Sequence, residues 1–194
     1  TGSTFRNCAH AAIGINGQDV SIRRNVIRDS QQPFYVMDWG GGAKKFKNIL
    51  IEYNTITNSG SPSYDPSSGA GTTTLGSVLI QRNVFVNSAT SYGNESALFV
   101  VDPYGSNSFY SALRAITTRF QTDENCFYNT NGLTPMFSFY AAAGSYGSSG
   151  KVYSRSEWQA LGYDVNSVFE NPLVDAEGRA TSTGCANKGR FGGL

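Results

Sequence analysis

The sequence predicts an all-β fold in which short strands stack as the coils of a solenoid. Three observations carry that prediction. A two-strand unit recurs along the chain, apolar residues alternate within it, and the stretches between copies are rich in Gly, Ser, Thr and Asn. Four segments superimpose without gaps: VSIRRNVIRDS (20–30), ILIEYNTITNS (49–59), VLIQRNVFVNS (78–88) and FQTDENCFYNT (120–130). Each reads as a short alternating strand, an Asn, a second short strand and a polar turn. Asn25, Asn54, Asn83 and Asn125 are spaced 29, 29 and 42 residues apart. The unit is constant while the spacing varies, so insertions fall in loops. An earlier copy, STFRNCAHAA (3–12), is expected to put Asn7 in the same slot, 18 residues before Asn25.

Within each unit the apolar positions share one face: Val20, Ile22 and Ile27, then Ile49, Ile51 and Ile56, then Val78, Ile80 and Phe85. Stacked, they form columns in an interior that no single unit could bury alone. The Asn column falls where the chain turns between the strands. There a side-chain amide can reach the coils above and below and satisfy backbone groups that the turn leaves free. A second polar column follows, at Asp29, Asn58, Asn87 and Asn129. A third apolar stretch comes after each unit: Ala12–Ile15, Pro33–Met37, Thr72–Leu75, Ala97–Val101 and Met136–Tyr140. Three strands per turn spell a parallel β-helix of about five to six coils.

These repeats resemble the right-handed parallel β-helix superfamily, which includes pectate-lyase-like enzymes and many secreted bacterial repeat proteins. The likeness covers roughly residues 3 to 175. It includes SRSEWQALGYDVNSVFENPLV (154–174), similar to a closing segment of bacterial β-helix proteins. Ser154 with Glu157 forms a capping box and Gly162 marks a helix end, so a short helix is expected to lay Trp158 and Leu161 on an apolar surface. Val168-Phe169 and Leu173-Val174 would supply closing strands. Residues 1–175 then form the solenoid, with 154–174 as its cap and 176–194 as a Gly-rich tail. Residue 3 already lies inside a repeat, and an uncovered coil end is a sheet edge that natural solenoids avoid. Upstream coils or another chain are therefore expected to cover the first coil.

Lys plus Arg is 15 and Asp plus Glu is 14, a net charge of +1, which argues against nucleic acid or an anionic membrane surface as partner. The longest apolar run is 97–101, far short of the roughly 20 residues that span a bilayer. No charged-then-apolar leader opens the chain, so any signal peptide is expected to have been removed or to lie outside it. Only 15% of residues are charged and 13% are aromatic, a composition suited to a secreted or cell-surface β protein.

Loops on a rigid scaffold are where function tends to sit. The superfamily resemblance implies a substrate groove along the third strands, with a polysaccharide as partner. Those strands end in Asp38 and Asp102, two coils apart by the repeat alignment, or about 10 Å. That lies near the upper edge of the roughly 6.5–9.5 Å carboxylate separation of inverting glycosidases, so both are candidate catalytic acids. Around them stand Tyr35, Trp39, Tyr104 and Tyr140, whose faces can stack on sugar rings. Lys44, Lys45 and Arg114 can pair with uronate carboxylates. A polysaccharide lyase needs a base and a cation for the anion it forms, and a Lys, Arg or Tyr could be that base. The WIDH and RxPxxR motifs of pectate lyases are absent, as are the Asp-Asp, GHG and RIK motifs of polygalacturonases. YVMDWG (35–40) is a loose echo of pectin methylesterases. The expected function is thus carbohydrate-directed, a polysaccharide lyase or glycoside hydrolase. The alternative is a non-catalytic carbohydrate-binding or adhesive scaffold, such as a surface protein or phage tail-fibre segment.

His10 is the sole histidine and is expected in the outward slot shared by Arg28, Thr57, Val86 and Tyr128, so transition-metal ligation is unsupported. No cofactor is implied; oxygen-rich loops suit calcium, but no Asp-rich cluster argues for it. Cys8 and Cys126 are expected in one slot four coils apart, roughly 19 Å, too far to bridge. Three free thiols are expected, with Cys185 in the tail.

Overall fold

The computed structural model describes residues 2–9, 11–15, 17–37, 45–46, 48–59, 63–65, 74–75, 78–88, 98–102, 120–141 and 150–194. Its main elements are three sheets of parallel strands. Sheet 1 holds β1 (Thr4–Arg6), β4 (Val26–Arg28), β8 (Thr55–Thr57), β12 (Val84–Asn87) and β15 (Cys126–Asn129), in that spatial order. Sheet 2 holds β2 (Ala11–Ile15), β5 (Gln32–Met37), β9 (Ser63–Asp65), β13 (Leu98–Asp102) and β16 (Phe137–Ala141), closed by an antiparallel strand, β17 (Gly150–Tyr153). Sheet 3 holds β3 (Ser21–Arg23), β7 (Ile49–Glu52), β11 (Val78–Gln81) and β14 (Phe120–Asp123). A small parallel pair joins β6 (Lys45–Phe46) to β10 (Thr74–Leu75). From β3 onward the chain visits sheet 3, sheet 1 and sheet 2 in the same order each time, and every parallel pair links strands from successive passes.

The apolar alternation produces this arrangement. Ile22, Ile51 and Ile80 stand in one row of sheet 3, and Ile27, Ile56, Phe85 and Phe127 in one row of sheet 1. All are buried in a single cluster with Phe34, Phe137 and Trp158. Phe85 stacks on Phe127 at 5.2 Å, and Phe127 on Phe169 at 5.5 Å. Columns of like residues let each pass bury the face its neighbour would otherwise expose.

The Asn column forms as its spacing predicts. Asn54 donates its backbone N–H and its Nδ2 to Asn83 Oδ1, at 2.9 and 3.0 Å. Asn25 makes the same pair of bonds to Asn54, and Asn83 to Asn125. The residue before each Asn (Arg24, Tyr53, Arg82 and Glu124) has a left-handed backbone, with φ of 54–57°. That conformation makes the sharp bend between sheets 3 and 1 and leaves the groups that the amides satisfy.

The first copy sits in a different register from the one expected. Thr4, Phe5 and Arg6 pair with Val26, Ile27 and Arg28, so Ser3 occupies the Asn slot and Ser3 N donates to Asn25 Oδ1 at 3.1 Å. Asn7 belongs instead with Asp29 and Asn58, the left-handed residues that end the second strand. Ser-Thr-Phe-Arg-Asn matches Asn-Val-Ile-Arg-Asp by its apolar pattern; matching Asn7 to Asn25 displaced it by four residues. Arg6, not His10, therefore shares the slot of Arg28, and His10 lies outside the described residues. In the third pass the sheet 2 strand is β9, while Thr74–Leu75 belongs to the small pair. Ser63-Tyr64-Asp65 is too short and polar to register as an apolar stretch.

The C-terminal end is closed by α1 (Arg155–Ala160). Ser154 caps it, with Glu157 N donating to Ser154 Oγ and Ser154 N donating to Glu157 Oε2, at 3.4 and 2.8 Å. Trp158 is wholly buried and stacks on Phe137 at 4.9 Å. Leu161 does not join it: as the residue that ends the helix, it is 49% exposed. The chain then adds one more rung, with Asp164 N bonded to Thr122 O, Ser167 Oγ accepting from Asn125 N, and Val168 bridged to Cys126.

Asp164 anchors this cap. It is wholly buried and accepts from Trp158 Nε1 at 2.8 Å, Ser167 Oγ at 2.6 Å, Asn125 Nδ2 at 3.0 Å and Thr122 Oγ1 at 3.1 Å. Burial pushes its carboxyl above the usual carboxylate range, against these four bonds, which favour the anion. The folded state then holds a proton that the unfolded state has released, so stability falls as pH rises from the ordinary Asp value towards the folded one. Denaturant unfolding from about pH 4 to pH 8 should show that decline, and Asp164→Asn should flatten it relative to the wild type. Stability that rises with pH through this window in the wild type, and not in the variant, would mean that the four donors outweigh burial.

The tail is a folded strap rather than a loose end. It lies over the outer face of sheet 1, where Val26, Thr55, Val84 and Cys126 are buried opposite the core. Thr55 Oγ1 donates to Gly178 O at 2.7 Å and accepts from Arg190 N at 3.0 Å, while Gly189 N donates to Arg82 O at 2.8 Å. Gly178 and Gly189 have positive φ, and a Cβ on either would meet Val26 or Thr55 within 2.6 Å. Cys126 and Cys185 form a disulfide that pins the strap, leaving Cys8 as the free cysteine. The expectation of three free thiols is thus wrong. Cys8 and Cys126 do not pair, but the tail folds back and brings Cys185 to Cys126.

Candidate functional site

Of the residues that the sequence nominates, Asp38, Trp39, Lys44, Tyr104 and Arg114 lie outside the described residues. Tyr35 is in β5, Lys45 in β6, Asp102 at the end of β13 and Tyr140 in β16, each placed by its backbone. Tyr35 shares a row with Ser63 and Phe99, and Tyr140 pairs with Val101. Asp102 therefore falls one row beyond Met37, the last residue of β5, with β9 between their strands. Two strand spacings are about 10 Å. Lys45 belongs to the separate small sheet.

The described side chains build a different surface, on the outer face of sheet 3. Its strands bury Ile22, Ile51, Ile80 and Thr122, so the alternate residues face out. One outward row is Ser21, Leu50, Leu79 and Gln121, and a second is Arg23, Glu52, Gln81 and Asp123. The left-handed corner residues make a third, Arg24, Tyr53, Arg82 and Glu124. Each row repeats at the strand spacing, about 4.8 Å.

Neighbours within these rows hold one another. Arg23 pairs with Glu52 at 2.9 Å, and Gln81 Nε2 donates to the same carboxylate at 2.8 Å. Arg24 and Arg82 stack on the ring of Tyr53 at 5.0 and 5.8 Å, and Arg82 Nε bonds Glu124 at 2.6 Å. The bonds to Glu124 and Tyr53 push the Arg82 guanidinium further up, so it is a permanent cation. Asp123 accepts from Asn166 N and Nδ2, both at 2.7 Å, which ties the face to the cap.

Where sheet 3 meets the cap, the face deepens into a cleft of about 420 Å³. Gln81, Gln121, Asp123 and Glu124 form its polar wall, and Leu79, Leu161 and Tyr163 its apolar one. That volume lies within the usual range for a small-molecule or oligomer subsite. Amides and carboxylates can bond ligand hydroxyls while leucine and tyrosine carbons cover the apolar face of a ring. Burial, with Tyr153 adding to it, pushes the Tyr163 hydroxyl up to about 12. It therefore stays protonated near neutral pH and is not a base there.

Sequence reasoning passed over this face because it sought function in the loops. The signal was present in the aligned copies, where the two positions before each column Asn read Arg-Arg, Glu-Tyr, Gln-Arg and Asp-Glu. A core-only strand needs no such ladder of long polar side chains. Among the described residues no three His, Cys, Asp or Glu converge as a metal site.

The fold places the chain in the class of all-β proteins built mainly from parallel sheets, with one short helix among the described residues. No protein-family model matches the chain, and no curated protein or solved structure shows a significant match to it.

Proposed function

We propose that the chain is a right-handed parallel β-helix, secreted or displayed at a cell surface, that engages an extracellular polysaccharide. The observation that carries the reading is the outer face of sheet 3. Its rows of mostly polar side chains are set at the strand spacing and run into the cleft beneath the cap. A polymer of repeating units is the ligand that rows of polar positions at one fixed spacing can match over several units. The Cys126–Cys185 bridge supports an oxidising compartment. Chain cleavage, by a lyase or a glycoside hydrolase, would fall to Asp38 and Asp102, with Tyr35, Trp39, Tyr104, Tyr140, Lys44, Lys45 and Arg114 as substrate contacts. A binding-only scaffold would use the sheet 3 face alone.

Incubation with uronic-acid and neutral polysaccharides separates these outcomes. Ultraviolet-absorbing unsaturated products identify a lyase, new reducing ends a hydrolase, and retention on a polysaccharide column without products a scaffold. Gln81→Ala with Gln121→Ala should weaken retention several-fold. If cleavage occurs, Asp38→Asn or Asp102→Asn should abolish it with little change in Tm. Neither retention nor products on any polysaccharide would overturn the proposal.

A further inference from the structure

We propose that the cavity between the β1–β4 edge of sheet 1 and the C-terminal strap binds a single oxyanion group, such as a carboxylate or a sulfate. The cavity is about 170 Å³, and Arg6, Arg28 and Arg190 line it together with Thr4 and Phe191 and one acid, Glu177. Arg6 and Arg28 are register partners on neighbouring strands. They thus stand one strand spacing apart, about 4.8 Å, and like charges directly opposite one another destabilise a sheet. A bound anion, attracted to both, would offset that repulsion.

The guanidiniums of Arg28 and Arg190 are oriented but not neutralised. Arg28 Nη2 donates to Ala176 O at 2.7 Å and to Asp175 O at 3.3 Å. Arg190 donates from Nη1 to Thr4 Oγ1 at 3.3 Å and from Nη2 to Gly2 O at 3.1 Å. All four acceptors are uncharged oxygens. Among the described residues none of these three arginines forms an ion pair. Arg28 Nε is buried without a hydrogen-bond acceptor, which costs free energy and leaves this guanidinium's charge less compensated. A guanidinium presents paired donors in the geometry that carboxylate and sulfate oxygens accept. The volume suits one such group with its water, well below that of a pocket that encloses a drug-sized ligand. A uronate or sulfate ester on a glycan and a free inorganic anion offer the same chemistry. The site stands independently of the sheet 3 cleft and of the polysaccharide reading.

Calorimetric titration with sodium sulfate and with tetragalacturonate, at ionic strength held constant by sodium chloride, tests the proposal. One saturable site is expected for at least one of the two. Arg6→Gln, whose side chain is exposed and does not hold the strap, should weaken it at least tenfold. Arg28→Gln should do the same, while Arg155→Gln on the distant helix leaves it unchanged. Tighter binding of tetragalacturonate assigns the group to a glycan; equal or tighter binding of sulfate assigns it to a free anion. No saturable binding of either, or undiminished binding to Arg6→Gln, would overturn the site.

Discussion

Replacing Asn83 with Ala is expected to lower the unfolding free energy by about 3–5 kcal/mol. Asn83 is wholly buried at the centre of the column and takes part in six hydrogen bonds by side chain and backbone N–H. Its Oδ1 accepts from Asn54 N and Nδ2, while its Nδ2 donates to Ile51 O at 2.9 Å, Gln81 O at 3.0 Å and Asn125 Oδ1 at 3.2 Å. Truncation removes the acceptor of a buried backbone N–H and the donor of two carbonyls, with no solvent to replace them. Each buried group left unsatisfied costs about 1–3 kcal/mol. Asn83→Asp keeps the acceptor but turns a second oxygen towards three others, so it should be at least as damaging. Asn87→Ala, in the partly exposed second column, is the contrasting control and should cost about 1 kcal/mol or less. Urea unfolding monitored by circular dichroism gives all three values. A loss below about 1 kcal/mol for Asn83→Ala would mean that water or a neighbour takes over its bonds.

What could be read from the chain follows from where the physics is periodic. Ile22, Ile51 and Ile80, and the four column asparagines, recur with their neighbours intact, so both the interior rows and the amide ladder were legible. The first copy was misregistered because Asn was matched to Asn, although the apolar step Thr4-Phe5 pairs with Val26-Ile27. β9 was missed because Ser63-Tyr64-Asp65 carries no apolar alternation, its place being set by the strands on either side. The strap had a quieter signal. Val26-Ile27, Val84-Phe85 and Cys126-Phe127 are apolar at both positions, as a strand covered on both faces requires. The covering segment could not be recognised, because it approaches through glycines that leave no pattern of side chains. The cleft draws on Leu161, which helical spacing had assigned to the core and which instead faces outward as the helix ends.

The strap's disulfide sets the second large effect. Cys126 and Cys185 are 59 residues apart, and closing a loop of that length restricts the unfolded chain by about 4 kcal/mol in the chain-entropy model. Cys126→Ala with Cys185→Ala should therefore lower the unfolding free energy by about 3–4 kcal/mol. The bonds that Thr55 and Arg82 make to the strap remain, so the folded double variant keeps sheet 1 covered. Opening should become more frequent, and with it the exposure of Val26 and Val84, which lie against Gly178 and Gly189 of the strap. Hydrogen exchange at Gly189 N, whose bond to Arg82 O closes the strap, should then quicken before exchange in the Asn column does. Thiol counting in denaturant without reductant provides the direct check on the wild type. One reactive group, Cys8, is expected, and three would mean that the strap is held by its hydrogen bonds alone.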